Sequence, residues 1–389
     1  VIRTRFGRLF VFALCLLTGL PLAAAAQPPL PPIPVPAAPA LGARSYVLLD
    51  YSTGKILAAH DPHRREIPAS LTKLMVLYIV FHQLAAGRMH LDDLVPISKK
   101  AWRTGGSRMF VEVGTKVPVE KLIEGIIVDS GNDATVALAQ QVAGTTGSFV
   151  QLMNATAQQL GMKGTHFADV DGLPIKDHYS TAYDIALLCR DLIRDFPQYY
   201  HYFKLGHLTY NHITQYNRNK LLWLDSSVDG LKTGYTKEAG YCLAASAKRG
   251  DTRLISVVMG TDSEHARVRQ SEALLNYGFR FFETKVVYKG GQPVTQARVW
   301  KGSEDRVALG VNRNLEVTIP TGRAEELTPV TDVHGPIVAP VARGKTYGTV
   351  KVMLGKKVLA QAPLVALSDV GQGSLWHRLK DDVRLYFGR

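Results

Sequence analysis

Pro68-Ala69-Ser70-Leu71-Thr72-Lys73-Leu74-Met75 opens a run that stays apolar as far as Leu84. Proline just ahead of a first turn marks a helix start. A stretch hydrophobic on nearly every side predicts a buried helix over 71–84. Ser70 then falls at a helix N-terminus, where free N–H groups favour developing negative charge. Lys73 lies three residues on, on the same face, within reach of the Ser70 oxygen. A lysine acts as a base only when its pKa falls, which burial and a nearby cation such as Lys232 bring about. Taken alone, the pair equally fits a capping serine and a surface lysine.

Two further motifs change that reading. Ser130-Gly131-Asn132 lies between helical patterns over 119–128 and 134–142. On one helix Ser130 and Asn132 would point apart, so the spacing predicts a turn that Gly131 permits, with both side chains in one cleft. There Ser130 can relay a proton to a departing amine and Asn132 can hold an amide. Lys232-Thr233-Gly234 begins a strand region. Alternation sets Lys232 and Gly234 on one face and Thr233 on the other. Gly234 lets a substrate backbone approach closely, and Lys232 and Thr233 suit a terminal carboxylate. Arg218, apt for planar bidentate pairing, is a second candidate for that anion. Backbone N–H groups of Ser70 and Tyr235 are the expected oxyanion donors. Singly, these motifs fit a helix-capping turn, a solvated lysine and a surface arginine. Jointly they fill the roles of nucleophile, base, proton relay and anion anchor, a kit for acyl transfer through a serine ester.

Outward from these motifs, 46–49 and 56–59 read as strands about a Ser52-Thr53-Gly54 turn. A helix is expected over 184–193, strands over 241–247 and 253–259, and a helix capped by Ser263 or Asp262 reaching about Tyr277. Strands, then many helices, then strands suit an α+β fold, an antiparallel sheet with helices on its faces. From about Val286 short β runs (306–311, 315–319, 349–353, 358–359) alternate with Gly/Pro turns, which predicts a small all-β domain ending near Leu367. After Gly371-Gln372-Gly373, the residues Leu375, Trp376, Leu379, Val383 and Tyr386 recur at helical spacing beside Phe387, with Arg378, Lys380 and Arg384 between them. This predicts a C-terminal amphipathic helix lying in a membrane interface, because a flexible glycine joint serves core packing poorly.

At the other end of the 389 residues, Arg3, Arg5 and Arg8 precede an apolar run over 9–20 and Ala24-Ala25-Ala26. That is the pattern of a secretory signal peptide, with an apolar run too short to span a bilayer. The expected organisation is a signal peptide (1–26), a Pro-rich extended linker (27–42), an acyl-transfer domain (43–285), a small β domain (286–368) and the amphipathic helix (369–389). The net charge of +13 suits an anionic cell envelope. No arginine-rich run, zinc finger or helix-turn-helix points to nucleic acid. Beyond Cys15 in the leader, Cys189 and Cys242 read as buried thiols rather than a disulfide scaffold. No CxxC or HExxH occurs, and His60 and His63 lie in a polar turn, so no metal or other cofactor is expected.

With these residues in view, the chain resembles the low-molecular-mass penicillin-binding proteins that act as serine-type D-alanyl-D-alanine carboxypeptidases. The resemblance extends from the segment 68–75 through Asp129-Ser130-Gly131-Asn132-Asp133-Ala134, His178-Tyr179-Ser180-Thr181-Ala182 with Asp184, and Asn217-Arg218-Asn219 with Leu221-Leu222-Trp223. It continues through Val228-Asp229-Gly230-Leu231-Lys232-Thr233-Gly234 and covers nearly the whole chain after the leader. It implies a penicilloyl-serine-transferase (β-lactamase-like) fold. It also implies removal of the terminal D-alanine from peptidoglycan stem pentapeptides on the periplasmic face of the inner membrane, and β-lactam antibiotics as inhibitors. Ser70 would form the acyl ester, Lys73 accept its proton, Ser130 assist and Lys232 bind substrate. Tyr235 stands where the family often has histidine.

Three alternatives share parts of this kit. A D,D-endopeptidase would cut cross-links with the same residues. A β-lactamase needs a fast deacylating base, which class A enzymes supply as a glutamate in an ExxxN-type loop. Between Gly161 and Ser180 the acids are Asp169, Asp171 and Asp177, so slow deacylation of penicillin is expected. A non-catalytic penicillin-binding sensor would have lost a motif, and none is lost.

Overall fold

Strands Ser45–Asp50 and Ile56–His60 form the expected antiparallel hairpin. In the computed structural model, which describes residues 34–387, this hairpin is one side of a five-stranded antiparallel sheet. The sheet order runs Ile56–His60, Ser45–Asp50, Thr252–Thr261, Gly240–Arg249, Val228–Thr236. The period of two explains its apolar strands. Val47 and Leu49 face one core while Tyr46 and Leu48 face another, so both sides of the sheet are covered. The first core holds helices Lys73–Ala85, Val119–Val128, Asn132–Ala143 and Ala182–Asp195. The second holds helix Glu264–Phe281, whose N-cap Ser263 accepts a hydrogen bond from Ala266 N.

The buried helix begins later than the apolar run suggests. Ala69–Thr72 is a 3₁₀ turn and the α-helix starts at Lys73. Ala69, fully buried, holds a left-handed backbone (φ +48°) that leads the chain sharply into this turn.

The sheet-rich C-terminal part starts at Phe282, directly after the long helix. Strands Phe282–Tyr288 and Leu315–Pro320 pair with each other. A six-stranded sheet follows the order Leu327–Val333, Thr346–Leu354, Lys357–Ala366, Arg306–Gly310, Pro293–Trp300, Ile337–Val338, over its own apolar core. At the junction Thr284 Oγ1 donates to the buried Asp50 Oδ2 (2.5 Å) and Lys55 Nζ donates to Thr318 O (3.0 Å).

Two expectations about connecting segments need correction. The Pro-rich segment is no free spacer from Pro36 onward: Tyr277 OH donates to Pro36 O (3.0 Å) and Leu41 packs on the second core. The glycine joint at 371–373 is also tied down, with Gly373 N donating to Lys301 O and Ser303 N to Gly371 O (both 2.8 Å). The expected signal peptide and residues 27–33 lie outside the described residues. Among the described residues no helix is long and apolar enough to cross a membrane. Cys189 and Cys242 are free and buried.

Candidate active site

Lys73, the first residue of the buried helix, is completely enclosed. Its Nζ donates to Ser70 Oγ (3.0 Å) and to Asp171 O (2.6 Å). Burial pushes its pKa down to about 8, against the pull of Asp171 and Asp169. An amine so placed is neutral often enough near pH 8 to take the hydroxyl proton.

Ser70 lies where two lobes of a cleft meet. One, of about 220 Å³, is bordered by Ser130, Thr233, Gly234, Arg218 and Arg267. The other, of about 340 Å³, is bordered by Asn132, Asp171, Gly172 and Leu173. Ser107, Arg218 and Tyr235 border both. Ser130 and Asn132 thus reach opposite lobes of one cleft. The turn that brings them there is made differently from the expectation. Ser130 takes the left-handed backbone (φ +59°), while Gly131 (φ −58°) supplies room, since a β-carbon there would come 3.2 Å from Met109 N. Ser130 Oγ is buried with no hydrogen-bond partner among the described residues. Asn132 Nδ2 donates to Gly105 O (2.7 Å). The neighbouring Asp133 carboxylate accepts from Met109 N, Phe110 N, Val111 N and Ala134 N, which pins the 105–111 loop over the cleft.

Val228–Thr236 is the edge strand beside the turn that carries Ser70. A β-carbon on Gly234 would meet Pro68 O at 3.1 Å and Ser70 N at 3.3 Å. The glycine therefore admits the turn that carries Ser70. Thr233 and Gly234 both border the cleft. Lys232 lies beneath it, 2% exposed, its Nζ donating to Thr233 O (3.1 Å). Burial, then the charges of Lys73 and Arg218, hold its pKa well below the usual lysine range. Lys73 and Lys232 press on each other, as expected, and Arg218 adds a further cation to both. Arg218 Nη1 donates to Ser107 Oγ (2.9 Å). Its loop is fixed by Asn219 Nδ2 donating to Gly230 O (3.0 Å) and Asn217 Nδ2 donating to Leu205 O (2.9 Å). Tyr235, half exposed, packs its ring 4.2 Å from that of Tyr241.

One cleft residue and several roles of its neighbours are not evident from the sequence. Arg267, on the helix after the last sheet strand, is 4% exposed and donates from Nη1 to Gly234 O (3.3 Å). It is a second guanidinium in the lobe that holds Arg218. His178 Nδ1 accepts from Ala168 N and Asp169 N, so its Nε2–H donates to Thr72 Oγ1 (2.9 Å), tying the 168–178 loop to the turn that carries Ser70. Of the three acids in that loop, Asp171 lines the cleft. Asp129 is buried with Oδ1 unpartnered among the described residues, and burial pushes its carboxyl up to about 7. No signal in the sequence singles out Arg267, whereas His178 opens the segment His178-Tyr179-Ser180-Thr181-Ala182. Among the described residues no cluster of His, Cys, Asp or Glu could hold a metal ion.

Comparison with known proteins agrees with this geometry. Residues 34–263 match the family model described as D-alanyl-D-alanine carboxypeptidase, and 282–372 match that of the penicillin-binding protein 5 C-terminal domain. The chain is 43% identical over 361 residues to the D-alanyl-D-alanine carboxypeptidase DacA of Escherichia coli (strain K12), covering 91% of this chain and 90% of that protein. It superposes on penicillin binding protein 5 from Haemophilus influenzae with a TM-score of 0.81 at 41% identity, over 86% of this chain and 99% of the other. Penicillin-binding protein D2 from Listeria monocytogenes, solved in its ampicillin-bound form, matches at 28% identity with a TM-score of 0.57, over 61% and 98% of the two chains. A serine peptidase by fold and by kinship, the chain belongs to the D-alanyl-D-alanine carboxypeptidase family of low-molecular-mass penicillin-binding proteins.

Proposed function

We propose that this enzyme removes the terminal D-alanine from peptidoglycan stem pentapeptides through an acyl ester on Ser70. The observation that carries the reading is the 3.0 Å contact from Lys73 Nζ to Ser70 Oγ, made by an amine whose pKa burial lowers to about 8. Lys73 takes the Ser70 proton as Oγ attacks the penultimate D-alanine carbonyl. The oxyanion is met by the N–H groups of Ser70 and Tyr235. Ser130 passes a proton to the leaving amine, Asn132 holds the stem amide, and Arg218, Thr233 and Lys232 receive the terminal carboxylate. That carboxylate brings the compensating charge that keeps Lys232 protonated when substrate is bound. Penicillins enter the same way and acylate Ser70; the ampicillin-bound relative supports this.

The enzyme works outside the cytoplasm, at the periplasmic face of the inner membrane, held by its C-terminal helix. The signal-peptide pattern over 1–26 supports export. Helix Leu375–Phe387 supports the attachment: its Asp381 is buried and accepts from Lys301 N (2.7 Å), while Leu375, Trp376, Tyr386 and Phe387 are about four-fifths exposed. The test of function is D-alanine release from a diacyl-D-alanyl-D-alanine peptide. Wild type releases it and Ser70→Ala does not; release by the alanine variant overturns the reading.

A further inference from the structure

Asp171 borders the second lobe together with Ser70, and its carboxylate is close enough to Lys73 to raise the pKa of that amine. We infer that Asp171 is the general base that activates water for hydrolysis of the Ser70 acyl-enzyme, an assignment that rests on the reading just given. Residue 171 is bound into the nucleophile itself, because the Lys73 ammonium that donates to Ser70 Oγ (3.0 Å) also donates to Asp171 O (2.6 Å). The loop has no slack there. Gly172 (φ +86°) is pressed against the Ala69 carbonyl, and His178 clamps the same loop to Thr72. Asp171 is 5% exposed; its Oδ1 accepts from Leu173 N (3.1 Å) and its backbone N donates to Asp169 Oδ1 (2.7 Å). The lobe lies on the Asn132 side of Ser70; Arg218 borders it, whereas Arg267 borders only the other lobe, which suits the departing D-alanine carboxylate. Water can therefore approach the ester from this lobe.

The charged groups facing Asp171 are Asp169 on its own loop, Lys73 from the nucleophile helix and Arg218 across the cleft. Burial and then Asp169 push its carboxyl up to about 6, with Lys73 holding it down. It is thus ionised, yet basic, near neutral pH. In the step, the water oxygen adds to the ester carbonyl as its proton passes to the Asp171 carboxylate. The tetrahedral centre collapses, the carbonyl carbon–Oγ bond breaks, and Oγ takes a proton from the Lys73 ammonium. Asp171 returns its proton to the Lys73 amine, and the product acid ionises to solvent.

The test measures, on the full chain, the rate at which a fluorescent penicillin labels the enzyme and the lifetime of that label. Asp171→Asn should lengthen the lifetime on the order of 100-fold, the usual worth of a general base, while labelling slows by less than about threefold. Successful labelling also shows that the variant folds. In wild type the lifetime should lengthen as pH falls through about 6, and in the variant this dependence should vanish. An unchanged lifetime overturns the assignment. So does labelling that slows as much as release, which would make Asp171 a positioning residue for Lys73. A wild type that takes no label at Ser70 overturns the acyl-enzyme reading and this assignment with it, whereas label of unchanged lifetime in the variant overturns this assignment alone.

Discussion

Gly172 sits so close to Ala69 that a β-carbon on it would fall 1.9 Å from the Ala69 carbonyl oxygen and 2.8 Å from Thr72 Oγ1. Two segments a hundred residues apart are thus locked face to face, and the one carries Ser70 while the other carries Asp171. Gly172→Ala must both leave a left-handed backbone and open that contact. The strain of φ +86° and the overpacking together cost about 2–4 kcal/mol. The expected result is a lower midpoint in urea and penicillin labelling slowed at least about tenfold; a variant with wild-type labelling would show that the turn tolerates displacement.

In the proposed reaction the amine of Lys73 must be neutral to accept the Ser70 proton. Because burial brings its pKa down to about 8, acylation should rise about tenfold per pH unit below 8 and level off above it. Lys73→Ala should lower acylation by roughly 10²–10⁴. A profile that is flat between pH 6 and 9 would assign the proton to another group.

Much of this was legible in the sequence because short-range chemistry dictated it. The Ser70–Lys73 pairing follows from helical spacing, and the strand hairpins follow from apolar alternation about tight turns. What escaped was decided by contacts between distant segments. The left-handed conformation went to Ser130 although Gly131 adjoins it, because packing against Met109 N required the small residue at 131. Arg267 comes to the cleft from a distant helix, where its Nη1 donates to Gly234 O on the edge strand. Strand Leu327–Val333 is exposed along most of its length and mixes Thr328, Thr331 and Asp332 with Pro329 and Val330, so it left no apolar alternation to read. Asp171 was visible as an acid, but only the fold sets it beside Ser70.

Arg218 is anchored by Ser107 Oγ and borders both lobes of the cleft. A charge-assisted hydrogen bond contributes about 1.5–3 kcal/mol. Arg218→Ala should therefore raise KM for a peptide ending in a free carboxylate by about 10- to 100-fold. A peptide whose C-terminus is amidated should be turned over poorly by wild type, with little further loss in the variant. Equal losses on both peptides would place the arginine's role elsewhere, in holding the 105–111 loop.

His178 is buried as the neutral imidazole, and burial lowers its pKa to about 4. An unfolded chain takes up this proton below about pH 6.5, whereas the folded chain does not until about pH 4. The unfolded state thus binds more protons in that window, and stability falls as pH drops through it, by up to about 3 kcal/mol. Since His178 also ties the 168–178 loop to Thr72, His178→Gln should flatten the slope between pH 6.5 and 4 and lower stability at pH 8 by about 1–2 kcal/mol. Urea unfolding at a series of pH values checks both. An unchanged slope in the variant would move the acid sensitivity to other groups.

The C-terminal helix inverts the usual relation between a helix and its protein. Its polar side is docked: Asp381 accepts from Lys301 N, Arg298 lies 3.5 Å from Asp381, and Lys301 pairs with Asp382. Its apolar side, with Trp376, Leu379, Val383, Tyr386 and Phe387, faces outward. Leaving this much apolar surface in water is unfavourable, whereas burying it at a lipid interface is not. Arg378, Lys380 and Arg384 add attraction to anionic headgroups, which salt should weaken. Deleting the residues after Gly371 should release the enzyme from vesicles containing phosphatidylglycerol while leaving penicillin labelling intact. Asp381→Ala separates attachment from orientation: the helix should still bind vesicles, but lose its fixed pose on the β domain and with it protection of the Lys301 amide from hydrogen exchange. If the truncated enzyme sediments with vesicles as fully as the intact chain, the attachment lies outside this helix.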